Sequence, residues 1–296
     1  MIKATQRIAT SLSVALTALI SAACSPVNLL NSVIPSHGYQ LHANIAYGHA
    51  SRQRLDVYQP VQPTSQKRPV IVFFYGGSWD SGDKKDYLFV AEAFTSKGFV
   101  TVIPDYRVYP EVKFPQVMED PAYAAKWVKL HIAEFGGDAN QVYLVGHSAG
   151  AHLAVMLGLN DTYLDVVGLQ KTDFKATIGL AGPYDFLPLT SDRLKTIFGP
   201  EEVRWQSQPI AYVNGQNQPM LLLVGMQDGT VWPRNSINLA NKIKAHQGPV
   251  QMIQYPRYGH IDMVAKLAKP LRGNSTLLED VVHFIHQQST PLQVTR

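Results

Sequence analysis

Cysteine is nearly absent from this chain: among 296 residues only Cys24 carries a thiol. No disulfide can form within the chain, and no metal site can be built from cysteines. Charged residues are also sparse, at 16% against 46% hydrophobic. That balance leaves enough apolar side chains for a sizeable core and excludes general disorder. The 26 Lys and Arg residues are scattered, with no basic run or stripe to follow a phosphate backbone, so nucleic acid is not expected as a partner. No sequence period of roughly 20–50 residues appears, which excludes a repeat array. No segment is of low complexity. The length suits one large α/β domain or two small ones.

The N-terminal segment differs from the rest. Lys3 and Arg7 precede an apolar run at 8–20 (IATSLSVALTALI) that is too short and too rich in Ser and Thr for a membrane span. The small residues of SAAC follow. Residues 1–23 are expected to be a secretory signal peptide. SAAC resembles a bacterial lipoprotein site, which implies that Cys24 becomes the acylated first residue. Such an anchor would be the chain's one membrane contact and would hold it in the cell envelope. Residues 24–50, without a clear period, are then expected to be a tether, and 51–290 the folded domain.

Seven strands are expected from composition and period. RLDVY (54–58) alternates polar and apolar residues, which suits a half-buried strand near a sheet edge. PVIVFFY (69–75), FVTVIP (99–104), QVYLVG (141–146), ATIGLAG (176–182), PMLLLVG (219–225) and VQMIQY (250–255) are apolar runs suited to strands covered on both faces. Helical spacing appears at 84–97, 116–135, 148–159, 234–247 and 275–288. Strand alternating with helix implies a mostly parallel sheet with helices on both faces. Residues 183–215, rich in Pro, Asp and aromatics, interrupt the alternation and suggest a small insert over the strand ends.

The stretch VGHSAG (145–150) lies between a buried strand and a helix. Gly-x-Ser-x-Gly in that setting is a nucleophile elbow. Its turn is too tight for side chains at Gly146 and Gly150, and it presents the hydroxyl of Ser148 at the sheet's C-terminal edge. The helix behind it adds free N–H groups that suit a developing oxyanion. A serine nucleophile needs a base, and the base an orienting acid. Of the later histidines, His152 sits one turn into the elbow helix, His246 late in another helix, and His283 and His286 on the last. His260, in YGHID after the final strand, can reach the serine. Asp228, in GMQDGTV after the penultimate strand, is the favoured acid; Asp185 competes, and Asp262 is too near His260 in sequence. Oxyanion donors are expected from the N–H of Ala149 and from Gly77 and Ser78, in YGGSW after the strand 69–75.

Together these stretches resemble the α/β-hydrolase superfamily. The likeness is to the carboxylesterase branch that includes hormone-sensitive-lipase-like and feruloyl-esterase-like enzymes, arylformamidases and prenylcysteine methylesterases. YGGSW resembles the HGGxW oxyanion motif of that branch, with Tyr75 in place of its His. PDYRVYPEVKFP (104–115), EFGGDANQVYLVGHSAGAHLA (134–154), GMQDGTV and YGHID resemble its other motifs, in the expected order. The resemblance implies the α/β-hydrolase fold and a serine esterase of small-molecule esters that uses no metal or organic cofactor. It also implies a structural, bracing Arg107. Trp79 and Trp232 are candidates for the substrate pocket. An arylformamidase-like amidase with the same triad is the rival reading, and a non-catalytic envelope protein on the same fold is a weaker one.

Overall fold

The structure, a computed structural model, describes residues 26–289. A short helix α1 (Pro26–Ser32) leads into an edge hairpin of β1 (Tyr39–Ala46) and β2 (Arg54–Pro60). The chain then alternates: β3 (Arg68–Phe74), α2 (Leu88–Thr95), β4 (Val100–Pro104), α3 (Glu119–His131), β5 (Gly137–His147), α4 (Ala149–Leu159), a single turn α5 (Thr162–Asp165), β6 (Ala176–Leu180). The segment 183–215 holds α6 (Asp192–Phe198) and two 3-10 turns. After it come β7 (Met220–Gly225), α7 (Arg234–Ala245), β8 (Val250–Tyr255), a single turn α8 (Asp262–Ala265) and α9 (Leu277–Ser289).

The eight strands form one sheet in the order β1-β2-β4-β3-β5-β6-β7-β8. β1 and β2 run antiparallel to their neighbours; the six strands from β4 to β8 are parallel. The apolar runs of β3, β4, β5, β6 and β7 become the central strands because both their faces are covered. VQMIQY, expected to be covered likewise, is instead the edge strand β8, where only Tyr255 is buried. Val70 through Tyr75 and Val142 through Val145 are all buried. Helices lie on both faces: Lys97, just past α2, pairs with Glu279 of α9, while α4 and α7 share a cluster of Ala151, Val155, Leu239 and Ile243.

All seven expected strands and five expected helical regions are present. Another expectation is corrected: the tether proposed for 24–50 contains α1 and β1. β1 was hidden because it is an edge strand whose YQLHANIA side chains are mostly solvated, so no apolar alternation marks it. It also carries an irregularity between His42 and Ile45, where Asn44 adopts a positive φ of 59° and donates its N–H to Asp56.

The strand order reverses between β3 and β5: the chain leaves β3 to one side for β4 and returns to the other for β5. Loops diverge at the C-terminal ends of these two strands, and a crevice opens there. The oxyanion loop follows β3 and the elbow follows β5.

Candidate active site

Ser148 joins β5 to α4 with φ 55° and ψ −125°, a backbone strained for any residue with a side chain. The flanking glycines explain how the turn closes. A Cβ on Gly146 would stand 2.2 Å from the carbonyl oxygen of Gly150, and one on Gly150 would stand 2.0 Å from that of Phe74. The strained turn lifts the hydroxyl above the sheet edge, where His260 meets it.

The three residues expected to cooperate do come together. His260 Nε2 lies 2.9 Å from Ser148 Oγ, and its Nδ1 lies 2.7 Å from Asp228 Oδ2. Asp228 is buried, and its Oδ1 accepts the N–H groups of Thr230 (2.9 Å) and Val231 (2.8 Å). A carboxylate held by three bonds keeps one orientation. It therefore fixes the histidine tautomer with N–H on Nδ1, leaving Nε2 to accept from the serine. Asp185 is not part of this chain: it accepts from Asn238 of α7. Asp262 braces the loop, accepting the N–H of Gly259 at 2.8 Å.

Ala149 opens α4, so its N–H has no intrahelical acceptor. Ser78 and Trp79 share the cleft wall with Ser148 and Ala149; Gly77, the residue before Ser78, is not among the residues that line it. Three successive residues of this loop have positive φ: Gly77 (136°), Ser78 (51°) and Trp79 (61°). The Gly77 carbonyl accepts from Asp80 and Ser81, which closes the loop on itself.

Tyr75, standing where the motif usually has His, answers for the loop's shape. Its hydroxyl donates to Asp105 (2.7 Å) and accepts from Arg52 (3.0 Å), while its carbonyl accepts from the hydroxyl of Tyr106 (2.8 Å). Arg52 also reaches the carbonyls of Gly82 and Tyr106. Burial pushes the Tyr75 phenol well above its ordinary range, so it stays a donor. Arg107 braces a different place: it grips Asp120 and Glu119 at the start of α3. Arg52 was not singled out in the sequence, because it lies in a loop before β2 with no motif around it.

Two other histidines flank Ser148 in the chain. His147 donates from Nε2 to the carbonyl of His260 (3.1 Å), and the two rings lie 4.9 Å apart. Burial, and the positive charge His260 would carry, push His147 down to about 3. The side chain of His152, one turn along α4, is bonded to partners other than Ser148. Its Nδ1 accepts from the indole of Trp79 (3.2 Å) and its Nε2 donates to the carbonyl of Ser207 (2.7 Å). Burial pushes it down to about 4, so it is a neutral peg between the oxyanion loop and the 183–215 segment. Position 147 is the variable place of Gly-x-Ser-x-Gly, which is why the motif alone does not mark it.

The cleft beside Ser148 measures about 560 Å³. Phe186, Leu189 and Leu194 from the 183–215 segment form one wall, and Trp79 and the exposed Trp232 stand on others. Both candidate pocket tryptophans therefore reach the cleft. Trp79 is also packed against Phe186 and Phe198, tying the insert to the loop. Among the described residues, no group of three His, Cys, Asp or Glu is arranged to hold a metal ion.

Comparison with known proteins agrees with this architecture. Residues 55–243 match the BD-FAE family. A probable isoprenylcysteine alpha-carbonyl methylesterase of Arabidopsis thaliana is 28% identical over 82% of this chain and 55% of its own length. The chain thus spans about half the length of that relative. A kynurenine formamidase of Salmo salar is 26% identical over 76% of each chain. Among solved structures, esterase B of Lactobacillus rhamnosis superposes with a TM-score of 0.74 at 17% identity, covering 96% of this chain and 98% of that one. With the family matched across most of the sheet and the fold shared end to end, the chain belongs to the BD-FAE family of the α/β-hydrolase carboxylesterase superfamily.

Proposed function

We propose that the protein is a serine carboxylesterase that cleaves short-chain or aromatic acyl esters through an acyl-enzyme. One observation carries the reading: the unbroken hydrogen-bonded chain from Ser148 through His260 to Asp228, at 2.9 and 2.7 Å. Ser148 Oγ attacks the ester carbonyl while His260 Nε2 takes its proton. Asp228 holds the imidazole and balances its charge as the imidazolium forms. The N–H groups of Ala149, Gly77 and Ser78 receive the oxyanion of the tetrahedral intermediate. His260 then protonates the departing alcohol, and water resolves the acyl-enzyme by the reverse path. The chemistry calls on no metal or organic cofactor. Trp79 and Trp232 would hold the acyl or alcohol group.

The aromatic walls of the cleft, and an insert of modest size, favour short or aromatic acyl groups over long ones. A second reading is an amidase of the arylformamidase kind; the likeness to a kynurenine formamidase favours it, since the same residues serve and only the leaving group differs. The location proposed is the bacterial cell envelope, with export by residues 1–23 and a lipid anchor at Cys24; both lie outside the described residues.

The test is hydrolysis of p-nitrophenyl esters from acetate to palmitate beside an N-formyl aryl amide, with the Ser148→Ala variant as control. Serine-dependent activity highest on short chains supports the esterase. Activity confined to the formyl amide supports the rival, and none on either substrate by a folded protein rejects both.

A further inference from the structure

Apart from the substrate cleft, with which it shares no lining residue, an apolar groove of about 660 Å³ opens between α1, the residues beside α2 and the loop that follows β8. Of its lining residues only Asp86 is charged. Four of its side chains are large, apolar and strongly exposed: Leu29 (63%), Val33 (59%), Ile261 (67%) and Leu271 (41%). Single exposed aliphatics are ordinary on a soluble protein, but four on one contiguous face mark a contact surface. Lys85 and Lys269, both exposed, border the groove in sequence. Such a face of exposed aliphatic residues suits a phospholipid surface.

The chain itself says which surface is near. Pro26 lines the groove, and Cys24 lies two residues before it. Two residues span at most about 7 Å. An acyl chain on Cys24 would therefore hold the groove at the level of the headgroups. We infer that this face, with Leu29, Val33, Ile261 and Leu271 at its centre, docks flat on the bilayer. The inference rests on the envelope-anchor reading under Proposed function. Ile261 directly follows His260, so docking sets the loop that carries the catalytic base against the headgroups and fixes the enzyme's orientation on the membrane.

The experiment uses the full chain reconstituted in vesicles of phosphatidylethanolamine and phosphatidylglycerol, with brominated acyl chains as quenchers. Ile261→Trp and Leu271→Trp each add an indole to the face; Val166→Trp adds one at a remote exposed site (75% exposed). Ester hydrolysis and co-sedimentation are measured on each. A face buried roughly 5–10 Å into the interface should lose about half or more of the emission added at 261 and 271, with none lost at 166. Leu29→Ser combined with Val33→Ser should reduce that quenching while hydrolysis of soluble esters continues. A chain that sediments with vesicles but keeps full emission at 261 and 271 overturns the docking face and leaves the anchor standing. A chain that stays in the supernatant overturns both. A dimer in detergent that shields the same indoles from bromolipid gives the face to a second copy instead.

Discussion

Two buried neutral histidines should make this protein lose stability in mild acid, by an amount that follows from their positions. His147 and His152 are 4% and 0% exposed, and burial holds them near 3 and 4. In the unfolded chain both return to about 6.5. Their folded values lie below their unfolded ones, so above about pH 6.5 neither state binds the proton and nothing is lost. As the pH falls through 6.5 towards 4, the unfolded chain takes up two protons that the native one refuses, and stability drops. Between about pH 7.5 and pH 5 the loss is about 2 kcal/mol for each histidine, roughly 4 kcal/mol together. Burial also raises the carboxyls of Asp105 and Asp86, whose protonation works in the opposite direction at lower pH. A variant compared with its parent at the same two pH values cancels that contribution. His152→Gln keeps an acceptor for Trp79 and a donor for Ser207 but cannot ionise. Urea unfolding followed by tryptophan emission should then show the stability difference between the two pH values shrinking by about 2 kcal/mol. An unchanged difference would mean that His152 does not titrate as a buried neutral base, and the reasoning fails.

Other expectations concern the turn, the acid and the loop. Gly150→Ala places a methyl 2.0 Å from the Phe74 carbonyl oxygen. It should cost several kcal/mol, read as a lowered Tm, because two backbone segments must move apart. Asp228→Asn leaves the fold intact but presents the wrong tautomer of His260; turnover on p-nitrophenyl acetate should fall by roughly 10⁴-fold with little change in Tm. Gly77→Ala puts a Cβ 2.2 Å from the Ser81 carbonyl at a φ of 136°. The loop must reshape, and turnover should fall about 10²–10³-fold, the size of a lost oxyanion donor. A variant with full activity would remove Gly77 from that role.

The sheet and the three residues of the proposed triad were legible for one reason: each lies just past a run of apolar residues. A strand covered on both faces leaves that signature whatever its neighbours do. Ser148 and Asp228 follow such runs at β5 and β7, His260 follows the half-exposed edge strand β8, and the topology brings their ends to one edge. What escaped has no such signature. β1 is solvated on most of its length, so its pairing with β2 depends on backbone hydrogen bonds and not on pattern. Lys84, buried against Asp56 at 3.1 Å and Asn44 at 2.7 Å, reads in sequence as an ordinary surface lysine of KKDY. His147 bonds a carbonyl group, which every residue carries, and Arg52 bonds two carbonyls and one tyrosine hydroxyl, so no side-chain motif announces their partners. The support of the oxyanion loop passed from the usual His to Tyr75, Arg52 and Asp105, a set assembled from three separate segments.

The central claim is that Ser148 is a nucleophile activated by His260. It is tested most directly by labelling the folded protein with a fluorophosphonate and locating the adduct by peptide mass spectrometry. The account predicts a single stoichiometric adduct on Ser148 and its loss in His260→Ala with the fold retained. An unlabelled Ser148 in folded protein, or labelling that persists undiminished without His260, would contradict it.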